Sequence, residues 1–199
     1  TKNRLIPIPQ GKVLGGSTSI NGLVYNRGQK EDFDHWAALG NTGWSYDEVL
    51  PFFKRSENFS SRTESEFRGR SGELQISDID WTHPLTEAFI EGASELGIPR
   101  NEDYNGATQL GVGYFQRFIH RHYRVSTATA FLKEAKKRKN LTIKTNTLAS
   151  DILFNEHRQV VALKVNEGNS ASNEYVIGAN AEIIVSAGAI NTPKLLQIS

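Results

Sequence analysis

Apolar positions along the chain change period several times, and the changes mark out elements. Leu85, Ala88, Phe89, Gly92 and Leu96 fall at i, i+3, i+4, i+7 and i+11, the spacing of one helix face. His83-Pro84 opens that stretch and Gly97 with Pro99 closes it. Glu31 to Leu39 reads as a shorter helix, with acids in its first turn, Phe33 and Trp36 facing inward and Gly40 as its stop. "SYDE" at 45–48 has capping-box spacing and starts another helix, which Pro51 is expected to kink or restart. Ser126 or Thr127 caps a helix that buries Ala128, Phe131, Leu132 and Ala135. Residues 56–72 are polar and read as an exposed loop, with "GELQIS" after it as a strand. "YNGA" at 104–107 is a turn, and Val112 to Tyr123 is rich in β-formers. From residue 141 the period shortens. Leu141–Thr145, Leu148–Phe154, Gln159–Val165 and Glu174–Ile177 predict an antiparallel meander. "AEIIVSAGAINTPKLLQIS" then predicts a buried strand, a glycine turn and a helix with Thr192-Pro193 as N-cap and first residue.

Strands alternating with helices place the chain in the α/β (α+β) class. A strand–small turn–helix unit is how doubly wound folds bring backbone up to a nucleotide. Composition narrows the function classes. Lys and Arg number 23 against 22 Asp and Glu, so the net charge of +1 exerts no general pull on nucleic acid. The basic run Lys133–Lys139 is read as the solvated face of a helix ending at Asn140, in preference to a nucleic-acid patch. The absence of cysteine excludes disulfides, thiolate catalysis and Cys-ligated metals; it fits a reducing, cytoplasmic setting without requiring one. No apolar run approaches the roughly 20 residues that span a bilayer. There is no methionine, and "TPKLLQIS" stops inside a helix-like run, so an internal segment of a longer protein is expected.

Chemistry-bearing patterns are few. G-x-G-x-x-G is absent: Gly111-Val112-Gly113 meets Gln116 where the third glycine belongs. His120 and His122 would share a face on a strand, but with no third ligand in view a surface pair is favoured over a metal site. No serine sits in a G-x-S-x-G elbow. Trp36, Trp44 and Trp81 lack interleaved basic residues and read as packing residues, not base-stacking platforms. One stretch reaches past structure, "GKVLGGSTSINGLVYNRG" at 11–28. Glycines admit close backbone approach, and Ser17, Thr18, Ser19 and Asn21 offer hydrogen bonds. The plain reading is a tight turn packing backbone on backbone; the sharper one is a loop pressed against a large polar ligand carrying phosphates.

That stretch, continued by "VYNRGQKEDFDHWAALGNTGWSYDEVLPFFKRSEN", resembles the glucose–methanol–choline (GMC) family of flavin oxidoreductases. "DYNGATQLGVGYFQ", "RVSTATAFL", "NLTIKTNTLASDILF" and "SAGAINTPKLLQIS" are similar to later family segments in the same order, nearest the alcohol and choline dehydrogenase branch. The resemblance implies part of an FAD/NAD(P)-binding doubly wound domain combined with part of an antiparallel-sheet substrate domain. Residues 1–30 would be the flavin-contacting loop, 31–139 a helical and substrate-domain segment, and 140–199 the return to the FAD domain. It implies oxidation of a small-molecule alcohol to an aldehyde or ketone, with hydride passing to N5 of FAD. The acceptor that follows is left open among oxygen, a quinone or another carrier. Gly15 and Gly16 would let backbone approach FAD, Ser17 would bond near its phosphate–ribityl region, and Asn21, Gly22, Leu23 and Val24 would line the isoalloxazine. Ala149 would offer backbone groups to adenine. Some relatives attach FAD covalently to a histidine where this chain has Ile20, so non-covalent FAD is expected. The family's N-terminal glycine fingerprint and C-terminal His/Asn or His/His pair are not among these residues, and no catalytic residue is assigned. The alternatives are an FAD-containing lyase on the same scaffold and an inactive structural fragment.

Overall fold

A computed structural model describes residues 3–61, 65–168 and 173–199. The chain divides into two units, Thr1–Lys139 and Asn140–Ser199.

In the first unit a single 3-10 turn, Gly16–Ser19, precedes helix α1 (Lys30–Ala38) and helix α2 (Tyr46–Ser56). The Glu48 carboxylate accepts from both the N–H and the hydroxyl of Ser45, at 3.0 and 2.5 Å, which ties off the start of α2. Tyr46 N donates to Asp34 Oδ1 at 2.9 Å and pins that start to α1. Phe33 fills the angle between the helices, edge-on to Trp36 and Phe53 at 5.3 and 5.7 Å. Pro51 does not restart α2, which runs through it. A proline inside a helix deletes one backbone hydrogen bond, and the helix continues because its neighbours on α1 hold it.

Strand β1 (Glu57–Phe59) pairs in parallel with β2 (Leu74–Ile76). Isolated bridges from Arg117 to Ser77 and to Val24 extend this pairing toward the glycine loop. Tyr25, Phe59 and Ile76 form the buried cluster there, with Leu74 and Phe118 against it. The expected exposed loop at 56–72 is therefore corrected: Glu57, Phe59 and Arg68 in it are buried, and residues 62–64 lie outside the described residues. Helix α3 (Pro84–Glu95) forms where its periodicity predicts, with the His83 ring accepting from Leu85 N at 3.2 Å. Its buried residue is Ile90, while Leu85, Phe89 and Leu96 of the periodic stripe are exposed. Helical period fixes which residues share a face, not which face meets the core.

Strands β3 (Ile119–His120) and β4 (Tyr123–Arg124) form a two-residue hairpin. Arg121 and His122 occupy its turn at φ +47° and +68°, so His120 and His122 do not alternate on one strand. No group of three or more His, Asp or Glu side chains among the described residues could hold a metal. A π-helical turn, Ala128–Leu132, runs into the short helix α4 (Lys133–Ala135). The wider turn buries Ala130 in place of Phe131, and the helix ends at Ala135, well before Asn140.

The second unit is a three-stranded antiparallel meander, β5 (Thr147–Phe154), β6 (Val160–Glu167) and β7 (Glu174–Gly178), in that spatial order. Ile152, Ala162 and Val165 from the sheet are buried, as is Leu195 of helix α5 (Gly188–Ile198). Ser199 Oγ accepts from Ile152 N at 2.9 Å, tying the end of α5 to β5. Residues 141–145 form no strand, nor does "AEIIVSAG", where Ile184 is exposed. A buried parallel strand is held by neighbours on its edges, and no described strand lies along 181–187. Helix α5 starts at Gly188 instead of Thr192; the Thr192 hydroxyl accepts from Ala187 N at 3.0 Å.

Candidate functional site

The loop of residues 11–24 is held in shape mostly by its own backbone. Gly15 at φ +92° and Gly16 at φ +52° reverse the chain, and Gly16 N donates to Val13 O at 2.9 Å. Ile20 N and Asn21 N both donate to Ser17 O, at 3.2 and 2.9 Å. Ser17 Oγ accepts from Gly11 N at 3.1 Å, and a Cβ at Gly11 would run into the Gly16 carbonyl. Gly11 is glycine because two stretches of backbone touch.

The segment 124–129 brackets one side of the loop. Thr127 N donates to Thr18 Oγ1 at 3.0 Å, and the Thr18 hydroxyl donates to Gly15 O. Arg124 Nη1 donates to Thr18 O at 3.2 Å and to Asn21 Oδ1 at 2.9 Å. A Cβ on Gly15 would meet Ser126 Oγ and the Ala128 methyl at 3.2 Å. Gly15 therefore faces the bracket. Asn21 Oδ1 also accepts from Leu23 N at 3.1 Å, and Leu23 sits at φ +69°, a conformation that costs a leucine about 1 kcal/mol. Phe118 N to Leu23 O and Tyr25 N to Gln116 O, both 2.9 Å, lash the end of the loop to residues 116–118. Val24 and Arg117 are thus a non-hydrogen-bonded antiparallel pair, in which the N–H and C=O of Val24 point away from the partner strand.

Behind Val24 the support becomes ionic. Glu57 is fully buried, and its Oε1 lies 2.6 Å from Arg27 Nη2 and 3.1 Å from Arg68 Nε, with Gly69 N donating to it at 2.6 Å. Arg68 Nη1 reaches Asp103 Oδ1 at 2.7 Å, and its guanidinium lies 3.7 Å from the centre of the Phe59 ring. Asn105 completes the knot: its Oδ1 accepts from Arg27 N at 2.8 Å while its Nδ2 donates to Tyr25 O at 3.2 Å. Burial pushes the Tyr25 phenol up to about 12, although the adjacent Arg27 pulls the other way. Sequence reasoning missed Arg27, Glu57, Arg68, Asp103 and Asn105. Their partners lie up to 80 residues apart, and no local pattern marks them.

The other side of the loop is open. A Cβ at Gly16 or Gly22 would meet nothing within 4 Å. Leu14 and Ile20 are 52% exposed and Val24 is 42% exposed. Apolar side chains, bare glycine backbone and the outward N–H and C=O of Val24 are thus exposed features of the loop. These residues fit a large, flat ligand with polar edges, as FAD is. Of the eight residues singled out, Gly16 and Gly22 present open backbone, and Ser17, Asn21 and Val24 are exposed. Gly15 faces the bracket, and Ser17, Asn21 and Leu23 make the internal bonds described above. Ala149 belongs to the second unit, half-buried on β5 beside a β-bulge, opposite Val165. Strand β5 is an edge strand, so backbone groups on its outer side are free of sheet pairing.

The family model described as GMC oxidoreductase matches residues 1–199. The chain is 44% identical over 197 residues to an oxygen-dependent choline dehydrogenase from Rhizobium etli, covering 99% of this chain and 35% of that protein. It is equally identical over 196 residues to the protein of the same name from Brucella anthropi, again 35% of its length. An FAD-dependent oxidoreductase from Chaetomium thermophilum superposes with a TM-score of 0.90 at 31% identity, over 99% of this chain and 36% of that one. Pyridoxine 4-oxidase from Mesorbium loti does so with a TM-score of 0.85 at 33% identity, over 96% of this chain and 37% of its own. The chain thus spans about a third of the length of the relatives it matches. With the match running from the first residue to the last, the chain belongs to the GMC oxidoreductase family.

Proposed function

We propose that the full-length protein carrying this chain oxidises a small alcohol to an aldehyde or ketone, and that residues 14–24 hold its FAD without a covalent bond. The observation that carries this reading is the open backbone at Gly16, Gly22 and Val24 on a loop tethered to residues 116–118 and 124–127. FAD bound there would supply the hydride acceptor. The chain's own residues do the positioning. Gly16 and Gly22 leave room for the ring system to rest on backbone, and Val24 offers one donor and one acceptor at its edge. Leu14 and Ile20 keep water from that surface when it is covered. Ala149 is proposed to meet the adenine through β5 backbone.

The relatives' names give the order in which alcohols are worth trying, choline first and pyridoxine next. Anaerobic addition of choline to the full-length holoprotein is expected to bleach the flavin absorbance, and oxygen or a quinone to restore it. Product formation without bleaching would favour a lyase. Acid precipitation is expected to leave the yellow colour in solution, since isoleucine at position 20 offers no atom for a flavin bond. Colour in the pellet would refute non-covalent binding.

A further inference from the structure

We infer that Arg124 is a positioning residue for the flavin, acting through Asn21 and the Thr18 carbonyl; this rests on the reading that FAD lies on the loop's open side. The two hydrogen bonds from Arg124 Nη1, 3.2 Å to Thr18 O and 2.9 Å to Asn21 Oδ1, bridge more than a hundred residues of sequence. Arg27 and Arg68 each pair with a buried carboxylate, and Arg100 pairs with two, Glu87 and Glu102. Arg124, by contrast, has no Asp or Glu partner among the described residues. Its charge is directed at two oxygens of the loop.

The consequence runs through Asn21. Its Oδ1 accepts from Arg124 and from Leu23 N, and Leu23 holds the left-handed conformation at φ +69°. A guanidinium on that oxygen fixes the Asn21 rotamer, and the Asn21 rotamer fixes the turn that presents Gly22 and Val24. The hairpin before Arg124 has Arg121 and His122 at positive φ, so the chain accepts strain to bring Tyr123–Arg124 back to the loop. Arg124 need not touch the flavin. It sets the backbone that does.

The test uses full-length apoprotein reconstituted with FAD, read by flavin fluorescence quenching and by the visible circular dichroism of the bound flavin. Arg124→Ala is expected to raise the FAD Kd about tenfold or more and to alter the flavin dichroism. Millimolar guanidinium ion is expected to restore both, and sodium chloride at equal concentration to restore neither. Asn21→Ala, which keeps Arg124, is expected to reproduce the rise and the altered spectrum, and it decides the matter if Arg124→Ala proves insoluble. Wild-type Kd and dichroism in both variants would overturn the inference. Gly22→Val separates the two levels of the argument. If it releases FAD while the other variants match wild type, Arg124 alone was misjudged; if it also retains FAD, the loop reading itself is wrong.

Discussion

The two sides of the loop at 11–24 are built on opposite terms. Toward Thr127, Arg124 and Phe118 the loop is tied by hydrogen bonds, and a methyl at Gly15 would meet Ser126 and Ala128. On the far side, glycine backbone and apolar side chains stand open. Positive φ accounts for Gly15 and Gly16, and backbone contact accounts for Gly11. Gly22 has neither positive φ nor a neighbour within 4 Å of a Cβ, which leaves its backbone bare for the proposed flavin. The contrast suits the proposed flavin site, because a preformed surface loses little entropy when covered.

Breaking the secured side should have the largest effect on stability. Glu57→Gln leaves the Arg27 and Arg68 guanidinium groups buried without their shared counter-charge, an expected loss of about 3–5 kcal/mol. Denaturant unfolding of the full-length protein, or loss of soluble yield, checks it. A wild-type midpoint would show that the knot is not what secures the loop. Gly15→Ala should cost about 1–3 kcal/mol, from left-handed strain at φ +92° and from contact with Ala128 and Ser126.

A smaller effect comes from pH. The Tyr25 phenol titrates near 12 when folded against 10 when free, so the folded state keeps its proton longer. The stability this provides is complete below pH 10 and is lost as pH rises through that window toward 12. Thermal unfolding at stepped alkaline pH should show the decline, and Tyr25→Phe should make it shallower. An equally steep decline in Tyr25→Phe would place the alkaline weakness elsewhere.

Smallest of all is the open side. Ile20→Ala should change stability by no more than about 0.5 kcal/mol, because the residue is half exposed. A larger loss on denaturant unfolding would mean that the open side is packed after all and would erase the contrast.

How much of this was legible in the sequence varies with the range of the interaction. Signals confined to a few residues held: the Ser45–Glu48 box, the glycine stop after α1, the hairpin meander after residue 146. Orientation did not. The α3 stripe of Leu85, Phe89 and Leu96 has ideal spacing and faces outward, since period alone does not say which side finds the core. The polar stretch 56–72 was misread because charge predicts exposure only for unpaired groups. Arg68 is buried by Glu57, eleven residues earlier, and by Asp103, 35 residues later. "AEIIVSAG" has strand composition, but a strand needs a partner as well as a propensity. Of the site, the composition of the glycine loop was readable and its two-sidedness was not, because Thr127 and Arg124 reach it from more than a hundred residues away.

If FAD rests on the backbone at Gly22, Gly22→Val in the full-length protein is the substitution that must release it. Gly22 lacks positive φ, and a Cβ there meets nothing within 4 Å, so the substitution should leave unfolding of the apoprotein unchanged. Flavin content per chain after purification is the quantity to measure. Protein with wild-type far-ultraviolet dichroism and little or no bound FAD is expected; stoichiometric flavin in a well-folded Gly22→Val protein would mean that FAD does not rest on this loop.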